Sequence, residues 1–220
     1  MIGQSLPMPA LSFAIVRARA ERHAAVPLLM LTIRIEAPAP LAPMIEGLAL
    51  GCQLRIEPNG RRYTPPEEAN LEDLFGATSR WRSTLRPLLW MESSLLVPSF
   101  CGATEIDLAV PCSYDLEVSA NRYFHSLAGG EVPLRLLLRG TVFTRGERGL
   151  EVTPLPWDRE ASFRLPVTLW RELMDHYFPG AGWLRFKRET IDALLQFKGR
   201  RSLASWDGVI EALLAEARTP

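Results

Sequence analysis

Several stretches of this chain alternate apolar and polar residues with a period of two, and that rhythm gives way at Pro166. In residues 28–36, Leu29, Leu31, Ile33 and Ile35 take one side while Thr32, Arg34 and Glu36 take the other. Leu48, Leu50, Cys52, Leu54 and Ile56 repeat the pattern in residues 48–56, and Ile106, Leu108 and Val110 do so in residues 104–110. Successive side chains of a strand point to opposite faces, so each stretch reads as a half-buried antiparallel strand. Residues 13–21 and 88–97 read as further strands. The longest, residues 132–144, turns at 145–149 and returns as residues 150–155, a hairpin. Phe163 and Leu165 close the β region.

Turns and short helices punctuate these strands. The cluster Glu57-Pro-Asn-Gly-Arg-Arg-Tyr63 supplies a turn, with Asn59-Gly60 able to take positive φ. Thr64 then caps a helix over residues 67–75, with Pro65 in its first position and Gly76 as its stop. Ser119 opens a second short helix that ends at Gly129-Gly130.

From Pro166 the period becomes helical. Trp170, Leu173, Met174, Tyr177 and Phe178 mark one helix, and Ile191, Leu194 and Leu195 a second. Ser205 caps a third, whose stripe is Trp206, Val209, Ile210, Leu213, Leu214 and Ala217. Strands first and helices last give an α+β class: an antiparallel β-sandwich of about seven to nine strands with a C-terminal helical appendage. The expected division is residues 1–165 for the sandwich, with its short helical insertion, and residues 166–220 for the appendage packed on it. A chain of 220 residues can bury such a core without metals or disulfides. Its 47% hydrophobic and 23% charged content argue against disorder.

Charge narrows the partners. The 25 basic and 25 acidic side chains cancel, removing the basic excess that nucleic acids and anionic membranes select, so neither is expected as a partner. No apolar run approaches the roughly 20 residues that span a bilayer. Residues 1–11 have no basic n-region or long apolar h-region, so no signal peptide is expected. Three cysteines, Cys52, Cys101 and Cys112, are an odd and sparse set that suits a reducing compartment, and a cytoplasmic location is expected.

The search for chemistry returns little. There is no Gly-X-Ser-X-Gly elbow, and no Cys-X2–4-Cys or His-X3–5-His pair of the kind that brings two zinc ligands together, so no metal and no cofactor is expected. Glu105 and Asp107 share a strand face, the usual arrangement of solvating acids. Gly180-Ala-Gly follows a helix where a dinucleotide fingerprint would follow a strand. The cations Arg185, Lys187, Arg188, Lys198, Arg200 and Arg201 cluster near the ends of one helix, diluted by Glu189 and Asp192. Cys112, Tyr114, Tyr123 and His125 are close enough in sequence to converge on one pocket, if the short helix packs on the strand end. Among six tryptophans, most are assigned to packing. Trp81 and Trp90 with Arg86, and Trp183 with Arg185 and Phe186, combine aromatics with arginine in the manner of interface anchors.

An ordered series of strings resembles an uncharacterised bacterial family of unknown function. The series comprises Leu71-Glu-Asp-Leu-Phe-Gly76, Leu85-Arg-Pro-Leu-Leu-Trp90, Ala103-Thr-Glu-Ile-Asp-Leu108, Pro111-Cys-Ser-Tyr-Asp115, Tyr123-Phe-His125, Gly140-Thr-Val-Phe143 and Trp170-Arg-Glu-Leu-Met-Asp175. It spans residues 13–214. The resemblance implies an association with the gene neighbourhoods of nickel–iron hydrogenases and carries no catalytic residues. At the level of fold, long antiparallel strands with peripheral helices are also similar to SecB-type export chaperones.

Three functions follow as expectations. The first is a non-catalytic cytoplasmic interaction protein, an accessory or assembly factor for a hydrogenase or related redox complex, with homo-oligomerisation possible. The second is an enzyme or small-ligand binder with its pocket at Cys112, Tyr114, Tyr123 and His125. The third is a SecB-like holding chaperone, which requires a long exposed apolar groove.

Overall fold

The alternating stretches become strands whose apolar sides face each other. A computed structural model describes residues 11–37, 45–113, 115, 118–146, 149–180 and 184–218. Eight strands occur among them: β1 (Ser12–Glu21), β2 (Leu28–Glu36), β3 (Ile45–Ile56), β4 (Leu88–Val97), β5 (Ala103–Pro111), β6 (Glu131–Gly146), β7 (Gly149–Pro154) and β8 (Arg159–Pro166). One antiparallel sheet has the order β1-β2-β5. The other has the order β4-β3-β6-β7, with β8 also paired to β6. The result is an α+β antiparallel sandwich.

Leu29, Leu31, Ile33 and Ile35 of β2, and Leu48, Leu50, Leu54 and Ile56 of β3, are buried in one core with Leu134 and Leu136 of β6. Each such side chain stabilises the fold by about 1.5–3 kcal/mol. Long β6 serves two neighbours in succession: Glu131–Leu138 pairs with β8, and Thr141–Gly146 pairs with β7. The handover falls at Gly140, whose carbonyl accepts a bond from the Leu155 N–H at 2.8 Å. A β-carbon at Gly140 would lie 2.0 Å from the carbonyl oxygen of Ala49, so only glycine fits this crossing.

Between β3 and β4 the chain folds into helices α1 (Pro65–Phe75) and α2 (Trp81–Thr84). Helix α1 begins as its sequence signals require: Thr64 precedes it and donates its backbone N–H to the Glu67 carboxylate at 2.9 Å, the reciprocal half of a capping box. The turn before it differs from expectation. Pro58–Gly60 is a single 3-10 turn, and Gly60 is needed for space: a β-carbon there would meet the Pro133 ring at 2.8 Å.

Helix α3 (Ser119–His125) precedes β6. After β8 comes α4 (Val167–Tyr177), which buries Val167, Trp170, Leu173 and Met174 in the common core. Arg171 of α4 donates to the carbonyls of Leu127 and Ala128. The Tyr177 hydroxyl lies 2.8 Å from the Ala24 carbonyl and 3.0 Å from that of Glu21. These contacts make α4 part of the first of two compact units, Met1–Gly182 and Trp183–Pro220. The second unit holds α5 (Arg188–Arg200) and α6 (Trp206–Arg218), which Arg201 and Glu216 join by an ion pair. No helix among the described residues is long and apolar enough to cross a membrane.

Candidate functional site

Helices α1, α2 and α3 meet over a layer of aromatic rings. Tyr123 and Phe124 of α3 are fully buried. Phe75 and Tyr63 present ring edges to Tyr123 at centroid separations of 6.2 and 6.5 Å. Phe124 packs on Trp90 at 4.9 Å and stacks with Trp170 at 5.3 Å. Each such pair adds about 0.5–1.5 kcal/mol beyond the area it buries.

Two polar systems thread this layer. In the first, the Tyr63 hydroxyl donates to the Pro58 carbonyl at 2.7 Å, leaving its oxygen to accept from the Tyr123 hydroxyl at 2.8 Å. Burial raises both phenols above their ordinary range, so both stay neutral. In the second, Glu67 accepts four bonds: from Arg61 at 2.8 Å, from the Ala128 N–H at 2.8 Å, and from the N–H and hydroxyl of Thr64 at 2.9 and 3.2 Å. Burial alone would raise the Glu67 carboxyl. The backbone bonds from Thr64 and Ala128 and the Arg61 charge outweigh it, holding Glu67 below the usual carboxylate range. Arg61 also donates to the Gly129 carbonyl at 3.2 Å and rests 5.1 Å from the centroid of the Tyr63 ring. The Tyr63 and Tyr123 hydroxyls and the Glu67 carboxylate thus find their partners within the fold.

Arg61 has a second side. It lines a cleft of about 580 Å³ together with Asn59, Gly60, Arg62, Gly130, Glu131 and Arg164. Its Nη1 is buried and has no hydrogen-bond acceptor. A neighbouring depression of about 420 Å³ shares Arg164 and includes Arg135, which is paired with Glu57 and Glu160 at 3.2 and 3.4 Å. A third hollow, about 480 Å³, lies on the outer side of β3, β4 and β6 and is lined by Gln53, Glu92, Arg139 and Trp157 among others.

The residues expected to share a pocket differ in their burial. Cys112 is buried, and burial pushes its thiol up to about 12. Tyr123 is buried in the aromatic layer, whereas His125 is on the exposed side of α3. Two residues apart on a helix, Tyr123 and His125 point to nearly opposite faces. Tyr114 lies outside the described residues.

The expected interface anchors divide as well. Trp81 is a core residue: its indole N–H donates to the Gly76 carbonyl at 2.8 Å, and its ring meets Tyr63 edge-on at 5.3 Å. Trp90 is half-buried against Phe124. Trp81 is thus part of the helical insertion's own packing, and Trp90 turns its ring to α3. Arg86, Arg185 and Phe186 are exposed, and Trp183 lies outside the described residues. Trp157 stands apart from the packed tryptophans and is 93% exposed. Its place between Pro156 and Asp158, two turn-forming residues, was the available signal.

Asp107, read as solvating, accepts from the Thr32 hydroxyl at 2.8 Å and from Arg19 at 3.0 Å. These partners lower its pKa. Among the described residues no group of three His, Cys, Asp or Glu side chains could hold a metal. All three cysteines are free thiols.

A model of a family of unknown function, DUF6084, matches residues 8–220. The chain belongs to the DUF6084 family. Its sequence matches no curated protein. Among solved structures, this DUF6084 chain is similar to β-glucosidase 3B from Thermotoga neapolitana in complex with glucose, at 14% identity and a TM-score of 0.27, covering 71% of the chain and 17% of the enzyme. It is also similar to a β-glucosidase from Kluyveromyces marxianus in complex with glucose, at 8% identity and a TM-score of 0.23, covering 71% of the chain and 15% of the enzyme. The chain thus spans less than a fifth of either enzyme, and likenesses this slight carry no argument about function.

Proposed function

We propose that this DUF6084 chain is a non-catalytic interaction protein, an accessory or assembly factor that engages a protein partner through α5 and α6. One observation carries the reading. Helix α5 has no buried residue, and Val209 is the only buried residue of α6. The apolar stripes of both helices are open to solvent: Ile191 and Leu195 on α5, and Trp206, Ile210 and Leu214 on α6, with Phe186 just before α5. Trp206, Ile210 and Leu214 recur every four residues and so form one continuous ridge. Large apolar side chains arranged this way on a soluble chain are the material of a protein interface.

The internal saturation of Glu67, Tyr63 and Tyr123 supports the non-catalytic half of the reading, because a general acid or base needs a proton it can exchange with a substrate. A nickel–iron hydrogenase or related redox complex is the partner class to which the family resemblance points, and the free thiols suit a cytoplasmic setting.

Lys187 and Lys198 are the chain's only lysines, and both belong to the second unit. Amine-directed cross-linking in the native host, followed by affinity purification, therefore reports on this surface. The expected result is one protein joined at Lys187 or Lys198 and retained in stoichiometric amount without cross-linker. Recovery of the chain alone, with neither a cross-linked nor a copurified protein, overturns the reading.

A further inference from the structure

The arginine-lined cleft of the sandwich unit is independent of the α5–α6 surface. Three of its lining residues are arginines, Arg61, Arg62 and Arg164, against a single acid, Glu131. Arg62 and Arg164 have no ion-pair or hydrogen-bond acceptor among the described residues. Arg61 is the informative member. Its side chain is 9% exposed, it is anchored from behind by Glu67 and Gly129, and its Nη1 still has no acceptor. The Tyr63 ring beneath it offers a π face and no lone pair that completes the guanidinium. Nη1 is closed to solvent, so the cleft meets Arg61 through its other atoms.

The surroundings make the cleft specific. In the adjoining depression Arg135 is neutralised by Glu57 and Glu160, whereas the arginines here have no such acids beyond Glu131 and the Glu67 behind Arg61. Gly130 keeps the wall free of a side chain beside Arg61, whose Nη2 lies 3.9 Å from where its β-carbon would be. The lining holds no aromatic side chain to stack on a base or sugar, so recognition rests on charge and on the planar fork of guanidinium groups. With Arg61 paired to Glu67 and Glu131 the one acid in the lining, the cleft keeps a net positive charge, and the forks of Arg62 and Arg164 match the several oxygens of a phosphate better than a single carboxylate.

We propose that this cleft binds a phosphate group, either inorganic phosphate or the phosphoryl end of a small phosphate ester, with Arg61 at its base and Arg62 and Arg164 closing on it. The test is isothermal titration of the full chain at fixed ionic strength with inorganic phosphate, glycerol phosphate, acetate and chloride, repeated for Arg62→Ala and Arg164→Ala. Both substituted residues are exposed and unpaired, so the variants should melt like the parent without ligand. Saturable binding of at least one phosphate compound, tenfold or more weaker in either variant and absent with acetate and chloride, is expected. Tighter binding of glycerol phosphate than of phosphate assigns the site to an ester, and the reverse order to the free ion. No saturable binding of either, or binding that both variants retain unchanged, overturns the proposal.

Discussion

Arg61 and Glu67 stand 2.8 Å apart with side chains 9% and 3% exposed, and their ion pair joins the turn after β3 to the first turn of α1. Removing one member of a buried pair strands the other, so Glu67→Gln should destabilise the chain by about 3 kcal/mol. The acid dependence has a definite sign. The folded pKa of Glu67 lies below its unfolded value, so its contribution is fully present above the ordinary carboxylate range and disappears as pH falls through the folded value. Denaturant melts between pH 7 and pH 3 should therefore show the parent losing stability more steeply than Glu67→Gln.

The tyrosine pair predicts an order of effects. In Tyr123→Phe the Tyr63 hydroxyl keeps its bond to Pro58, so the loss should be about 1 kcal/mol. In Tyr63→Phe the fully buried Tyr123 hydroxyl and the Pro58 carbonyl both lose their partner, and the loss should be about twice as large. Equilibrium unfolding of the two variants checks the order.

Thiol chemistry separates the three cysteines. Cys101 is exposed, while burial raises the Cys52 thiol to about 11 and the Cys112 thiol to about 12. At pH 8 a thiol reagent should label Cys101 alone in the native chain and all three in denaturant, with Cys101→Ser removing the fast phase.

Much of this fold is written in its periodicity. The faces of β2 and β3 follow from strict alternation, and the start of α1 follows from Thr64, Pro65 and Glu67. Periodicity does not say which apolar stripe finds a cover. Helices α4 and α6 both carry one, yet α4 is packed into the core and α6 leaves most of its stripe open. The same gap explains the tryptophans: Trp81 opens α2 and Trp157 lies between β7 and β8, and only tertiary packing buries the first and exposes the second. The candidate site was harder still. Tyr63 and Tyr123 are distant in sequence, as are Arg61 and Arg164, so no local spacing brings them together.

Gly140 gives the sharpest test of the sandwich. An added methyl would collide with the Ala49 carbonyl where β6 changes partners, with no flexible side chain to move aside. Gly140→Ala should cost about 3 kcal/mol or more and lower the melting temperature accordingly. Gly76→Ala, with no atom near its β-carbon but a φ of 76°, should cost about 1 kcal/mol.

The interaction surface is tested most directly by the affinity of the cross-linked partner for the parent and for a Leu195→Gln, Trp206→Gln, Leu214→Gln variant. The three side chains are 50%, 47% and 51% exposed, and glutamine sustains a helix, so the variant should melt close to the parent. If α5 and α6 form the docking ridge, its affinity should fall about 100-fold. Undiminished affinity in a normally folded variant would contradict a role for these helices in binding.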